Sequence, residues 1–237
     1  MGYGGVYQID FITDIYAIGY GFIVGIFADD IFLKEAEGAV IRRGGQTDKE
    51  AITILDKFAD NALRAPSVSM KFKLLTINQT DNKTDTLDGS VILSKDKYKL
   101  TLPDNIVWFN GETSWSYLPA EQEVTINKAN KKDNTFQSRP SLIFTMYKKD
   151  YKSRLIEEKH DSYLIDLYPE DLKSDIVRIR LTIGKSLLNL INLEYKRKDG
   201  IINMLHVNEY DLKVIPDAST FIFQPEKYKG AEVIDMR

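Results

Sequence analysis

The chain has 237 residues, 43% hydrophobic and 28% charged, which supports a packed core and excludes a disordered segment as the main class. Its formal net charge of −3 lacks the basic excess expected when nucleic acid is the main partner. It has no cysteine, which excludes disulfides, thiolate catalysis and Cys-ligated zinc.

In chain order, residues 15–28 come first as an uninterrupted apolar and Gly run, IYAIGYGFIVGIFA. That is the length of a signal-peptide apolar region and short for a membrane span. The flanks do not fit a signal: Asp10 and Asp14 precede the run, and the first basic residue is Lys34. Three readings stay open, namely a leader absent from the mature protein, an element packed on the domain, and a membrane anchor. Gly44-Gly45 marks the boundary between this 1–45 appendage and a single domain over 46–237.

The domain opens with Thr47-Asp48-Lys49-Glu50, which reads as a capping box with Thr47 as the cap and Glu50 reaching back. Ala51, Ile52, Leu55, Phe58, Ala59, Ala62 and Leu63 then form one helical stripe, ended by Pro66. Period-two alternation follows. Val68, Met70, Phe72 and Leu74 alternate with polar residues, and so do Tyr98, Leu100 and Leu102. Val91 and Leu93 begin the strand between them. Residues 106–109 lead into Asn110-Gly111, a type I′ hairpin signal. Beyond that turn, Trp115 and Tyr117 share one face, Ser114 and Ser116 take the other, and Val124 and Ile126 return. Residues 128–134 read as a solvated basic loop.

After Arg139-Pro140 the strict alternation is lost. Ser141-Leu142-Ile143-Phe144-Thr145-Met146-Tyr147 suits a short helix, with Pro at its start and lysines at its end. Strands resume over 154–157, 163–168 and 176–183. A hairpin across Asp199-Gly200 and a last strand over 220–223 complete the pattern. Hairpin connections make the sheet antiparallel, and a long sheet must curl or be covered.

The chemistry of a catalytic site is absent. His160 and His206 are the only histidines, and neither has a partner at metal-ligand spacing. There is no phosphate-cradling Gly loop and no nucleophile elbow. The expectation is a protein that is not an enzyme and has neither metal nor cofactor.

The string Asn110-Gly111-Glu112-Thr113-Ser114-Trp115-Ser116-Tyr117-Leu118-Pro119, followed by Gln122-Glu123-Val124-Thr125, resembles the Asp-Gly-x-Thr-x-Trp-x-Tyr-x-Pro…Gln-Val-Thr signature of the LolA family. The capped helix with its following strand, Asp88-Gly89-Ser90-Val91, and Arg139-Pro140-Ser141-Leu142-Ile143-Phe144 are similar in the same order. So is the end, Phe221-Ile222-Phe223-Gln224-Pro225 then Gly230 to Val233. About 190 residues are covered.

The resemblance implies a mainly β fold with a few helices, an antiparallel, incomplete, half-open barrel with a helical lid over an apolar cavity. It implies a periplasmic chaperone of a Gram-negative bacterium that carries acyl chains of lipoproteins from the inner to the outer membrane. The implied partners are acylated lipoproteins, an inner-membrane lipoprotein-releasing transporter and an outer-membrane acceptor, with the carrier a monomer. Cavity candidates are Met70, Phe72, Leu74, Tyr98, Leu100, Leu102, Trp115 and Tyr117. Lid candidates are Leu142, Ile143, Phe144 and Met146. The same pattern of residues suits a dry core, and the resemblance favours the cavity. Two alternatives remain: a binder of another lipid or glycolipid on this scaffold, and a non-catalytic interaction module with a filled core.

The sequence departs from the family at one step. An Arg-Pro pair after the second strand is replaced here by Ser94-Lys95-Asp96-Lys97. On the resemblance Lys95 is the candidate for a cargo-handling charge, without the planar fork of an arginine.

Overall fold

The computed structural model describes residues 48–128 and 140–237. The 1–45 appendage, Thr47 and most of the basic loop lie outside them. Among the described residues one α-helix, α1 (Lys49–Arg64), precedes twelve strands. These are β1 (Val68–Asn78), β2 (Lys83–Ser94), β3 (Lys97–Thr101), β4 (Ile106–Phe109), β5 (Thr113–Leu118) and β6 (Glu123–Lys128), then β7 (Tyr151–Glu158), β8 (Ser162–Pro169), β9 (Ile176–Gly184), β10 (Leu190–Arg197), β11 (Ile201–Asp211) and β12 (Glu232–Asp235). All twelve form one sheet in the order β12-β6-β5-β4-β3-β2-β1-β11-β10-β9-β8-β7. The end strands β7 and β12 do not pair, so the sheet is an unclosed barrel.

Local chemistry corrects several expectations. The helix cap is Asp48, not Thr47: its carboxylate accepts from the Glu50 amide at 2.9 Å. Its own amide donates to Ser153 O, so nothing is left for Glu50 to satisfy. The stripe of α1 also differs, because Ile54 is buried whereas Leu63 points to solvent. Asn110-Gly111 turns the chain without a type I′ geometry, since of the two only Gly111 has positive φ (+96°). The Asn110 side chain instead accepts from the Glu112 and Thr113 amides at 3.0 and 2.8 Å. Residues expected as a last strand form a 3₁₀ turn (Ala218–Phe221), in a segment that lies across β3 and β4 with both Phe221 and Phe223 buried against the sheet. The terminal strand is β12, which runs parallel to β6, against the antiparallel expectation.

Register defines two faces, since residues directly opposed across a pair share a side. On the inner face lie Val68, Met70, Phe72 and Leu74 of β1, opposite Leu93, Val91, Gly89 and Leu87 of β2. Val91 and Leu93 in turn oppose Leu100 and Tyr98 of β3, which oppose Val107 and Phe109 of β4. On the other side of β1, Leu205 and Val207 of β11, Leu193 of β10, Leu181 of β9 and Ile165 of β8 continue that face. The apolar side of α1 (Ala51, Ile54, Leu55, Phe58, Ala59, Ala62) is buried in the same core.

Gly89 is required by this packing. A Cβ there would lie 2.7 Å from the Phe72 ring and 2.8 Å from Leu102. Gly89→Ala is therefore expected to cost about 1–3 kcal/mol, read as a lower denaturant midpoint.

The outer face of β7 to β10 is charged. Asp166 of β8 is buried there beneath Arg180 and Arg178 of β9, and Arg178 also pairs with Glu194 of β10.

Candidate functional site

The concave face has two unlike halves. On β8 and β9, Ile165, Leu167, Ile179, Leu181 and Ile183 are 0% exposed, a dry core. On β1, β3 and the residue just past β3, Met70, Phe72, Tyr98, Leu100 and Leu102 each keep 4–6% exposure. Leu74, Leu87 and Leu205 beside them are only partly buried. Water reaches this half of the apolar face more than it reaches β8 and β9. Six of the eight cavity candidates, Met70, Phe72, Leu74, Tyr98, Leu100 and Leu102, lie on it.

Trp115 and Tyr117 do not. Trp115 opposes Trp108, and Tyr117 opposes Ile106, whereas it is Val107 and Phe109 that face inward. The two aromatics belong to a separate cluster on the outer face with Trp108, Val124, Ile126, Phe223 and Tyr228. The Trp108 ring meets Phe223 and Tyr228 edge-on at 5.5 and 5.4 Å, and Tyr117 meets Tyr228 at 4.7 Å. Strand β4 is apolar on both sides, so its sequence carries no alternation to show that the covered face switches there.

The 140–148 segment is two short 3₁₀ turns (Pro140–Phe144 and Met146–Lys148), not a regular helix. Ile143 and Phe144 are buried in the inner core, while Leu142 and Met146 are half-buried. Phe144 packs on Phe58 of α1 with ring centroids 5.3 Å apart. Tyr147, not among the lid candidates, is as deeply buried as Ile143, and its hydroxyl donates to Asp56 of α1 at 2.5 Å. Lys148 lies 3.4 Å from the same carboxylate. The Tyr147–Asp56 pair could not be read from the sequence, because 91 positions separate the two residues. An open polar cleft of about 680 Å³ lies beside this contact, between Ile52 and Asp56 of α1, Lys148 and Lys149, and Tyr151 and Glu170.

The hydrogen bond from Tyr147 holds the Asp56 carboxyl below its ordinary pKa, against the opposing effect of burial. A carboxylate whose pKa is depressed by folding contributes stability above its unfolded pKa, and that contribution is lost as pH falls through the folded value. Attachment of the 140–148 segment to α1 is thus expected to be unchanged near neutrality and to weaken below about pH 4. Hydrogen exchange of the Thr145, Lys148 and Lys149 amides, measured against pH, checks this. Asp56→Asn should remove the acid-dependent step.

Lys95 is exposed in the turn between β2 and β3, with left-handed backbone (φ 56°), at the end of the sheet where Ser94 Oγ donates to Pro66 O. His160 is exposed in the β7–β8 turn, and His206 sits on the outer face with Nδ1 2.6 Å from Asn192 Oδ1. Among the described residues no three His, Asp or Glu side chains gather as a metal site.

Residues 43–189 match the family described as outer membrane lipoprotein carrier protein LolA. A conserved protein of uncharacterised role from Thermus thermophilus has a similar structure, with TM-score 0.53 and 13% identity over 79% of this chain and 99% of that one. A LolA superfamily protein from Nitrosomonas europaea aligns with TM-score 0.39 and 15% identity, over 73% of this chain and 97% of that one. LprF from Mycobacterium bovis aligns with TM-score 0.39 and 10% identity, over 73% and 99%. No curated protein matches the sequence.

Proposed function

The chain belongs to the LolA family of outer membrane lipoprotein carrier proteins, and from that membership we propose that it carries the acyl chains of lipoproteins across the periplasm, from the inner to the outer membrane. The observation that supports this most directly is the incompletely sealed apolar face of β1 to β3, with the 140–148 segment packed into the same core. Acyl chains seated there would leave water at about 25 cal/mol per Å² of apolar area. Binding and release of this kind need no covalent chemistry, so the role we propose is that of a carrier and not of an enzyme. Its partners are an inner-membrane transporter that loads it and an outer-membrane acceptor that binds the lipid more tightly.

The dry half of the core favours one alternative, an interaction module with a filled interior. Native mass spectrometry of protein purified from its host separates the readings. Co-purifying acylated peptides are the expected result. Free lipids would point to a carrier of another amphiphile on the same scaffold. An empty protein that also ignores hydrophobic dyes would leave the filled-core module.

A further inference from the structure

The two faces of the sheet exchange character between β4 and β5. From β1 to β4 the inner face is apolar. On β5 and β6 Trp115, Tyr117, Val124 and Ile126 turn outward, into the cluster closed by Phe223 and Tyr228. What they leave on the inner face is a row of small polar side chains that ends in Leu118 opposite the Glu123 carboxylate. Ser116 opposes Val107 on one side and Thr125 on the other, while Ser114 lies between Phe109 and Asn127. The row therefore continues the lines Leu100–Val107 and Tyr98–Phe109 directly. It is partly exposed, and the rigid aromatic cluster supports it from behind.

The hydrogen bonds of the row show which chemistry it still offers. Ser116 Oγ donates to Asn105 Oδ1 at 3.0 Å, Thr125 Oγ1 to Glu123 Oε1 at 3.3 Å, and Ser114 Oγ weakly to Asn127 O at 3.5 Å. With each hydroxyl hydrogen already directed at a neighbour, the three hydroxyls offer lone pairs, while the Asn127 side-chain amide offers an acceptor and two N–H donors. Such a row accepts hydrogen bonds from hydroxyl or amide N–H groups.

We propose that Ser114, Ser116, Thr125 and Asn127 form a head-group subsite for an amphiphile whose acyl chain lies along β1 to β4, and that the subsite selects heads that donate hydrogen bonds. The proposal rests on the carrier reading above. It fixes the direction of the cargo, with the tail toward β1 and the hydroxyl- or amide-bearing head toward β5 and β6. The continuity of the row with the apolar face, and the Glu123 carboxylate that accepts from Thr125, favour a hydrogen-bond-donating head over an anionic one.

The test uses the full-length protein and two fluorescent probes with the same pyrene-ended acyl chain: a monoacylglycerol, whose head donates two hydrogen bonds, and the methyl ester, whose head donates none. The readout is the ratio of the two affinities, which cancels differences in tail burial. Ser116→Ala/Thr125→Val keeps the shape of the row and removes two acceptors. It is expected to lower the ratio about tenfold, the worth of two neutral hydrogen bonds, and to leave the methyl-ester affinity unchanged. Ser114→Ala, at the weakest of the three internal bonds, is a second variant in case the first shifts the denaturant midpoint. An unchanged ratio in folded variants overturns the subsite while the carrier reading stands. Failure of the wild-type protein to bind either probe overturns both.

Discussion

Phe144→Glu is expected to lower stability by about 3–5 kcal/mol and to abolish binding of an acyl probe. Phe144 is 1% exposed, with its ring against Phe58, so the substitution removes a packed aromatic and places a carboxylate where water does not reach. The neighbouring Leu142 is only half-buried, so Leu142→Glu should keep most of the stability and still reduce binding. Lys149→Glu, on an exposed side chain, should change neither. Denaturant midpoints and acyl-probe affinities measured on the three variants test the assignment. Normal binding by Leu142→Glu would mean that the 140–148 segment is core packing that no cargo passes.

Asp166→Ala should cost about 3 kcal/mol, although the residue sits on the outer, solvent-side face of the sheet. Its carboxylate is 1% exposed. Arg180 donates to both of its oxygens at 2.7 and 2.9 Å, and Tyr168 OH donates at 3.0 Å. Arg178 lies 3.7 Å away. Without Asp166, two guanidinium groups would share Glu194. The loss is set at the low end of the range for broken buried pairs because both arginines keep some contact with water. Replacing Asp166 and Arg180 together with apolar residues should recover much of the loss, since no charge is then left unpaired. Urea unfolding of the single and double variants reads this directly.

The sequence states the strands of this fold more clearly than their faces. Alternation located β1, β3 and β9 because each buries one side only, and Asp199-Gly200 marked the hairpin that leads into β11 because Gly200 takes positive φ (+84°). Alternation says which residues share a side, not which side faces the helix. For Met70, Phe72, Tyr98 and Leu100 the apolar side is the inner one. For Trp115 and Tyr117 the same pattern points outward, because the cover there comes from Phe223 and Tyr228, about a hundred residues later. Tyr147 was passed over for a related reason: its partner Asp56 looks like any solvated helix carboxylate until the two segments meet. Ile54 was missed because it lies at the edge of the helical stripe, where the angle from the stripe centre no longer decides burial.

Strand β1 joins what are otherwise two separate meanders. It pairs with β2 across the next turn and also with β11, where Ser69 meets Asp211 and Asn78 meets Ile201. The meanders β2 to β6 and β7 to β11 need only neighbouring segments and can close early, whereas the seam must bring together positions far apart in the chain. Contacts of such sequence separation slow folding because the loop entropy is lost before the pairing energy is gained. The rate of refolding should therefore be governed by the seam. Substitutions at Leu74 or Leu205, which oppose each other across it, are expected to slow refolding in proportion to the stability they remove. Changes within the β9–β10 hairpin should instead appear as faster unfolding. A chain made from its N-terminus also holds β1 half-paired until residue 211 is available, and during that interval its unpaired edge is the segment most exposed to pairing with another chain.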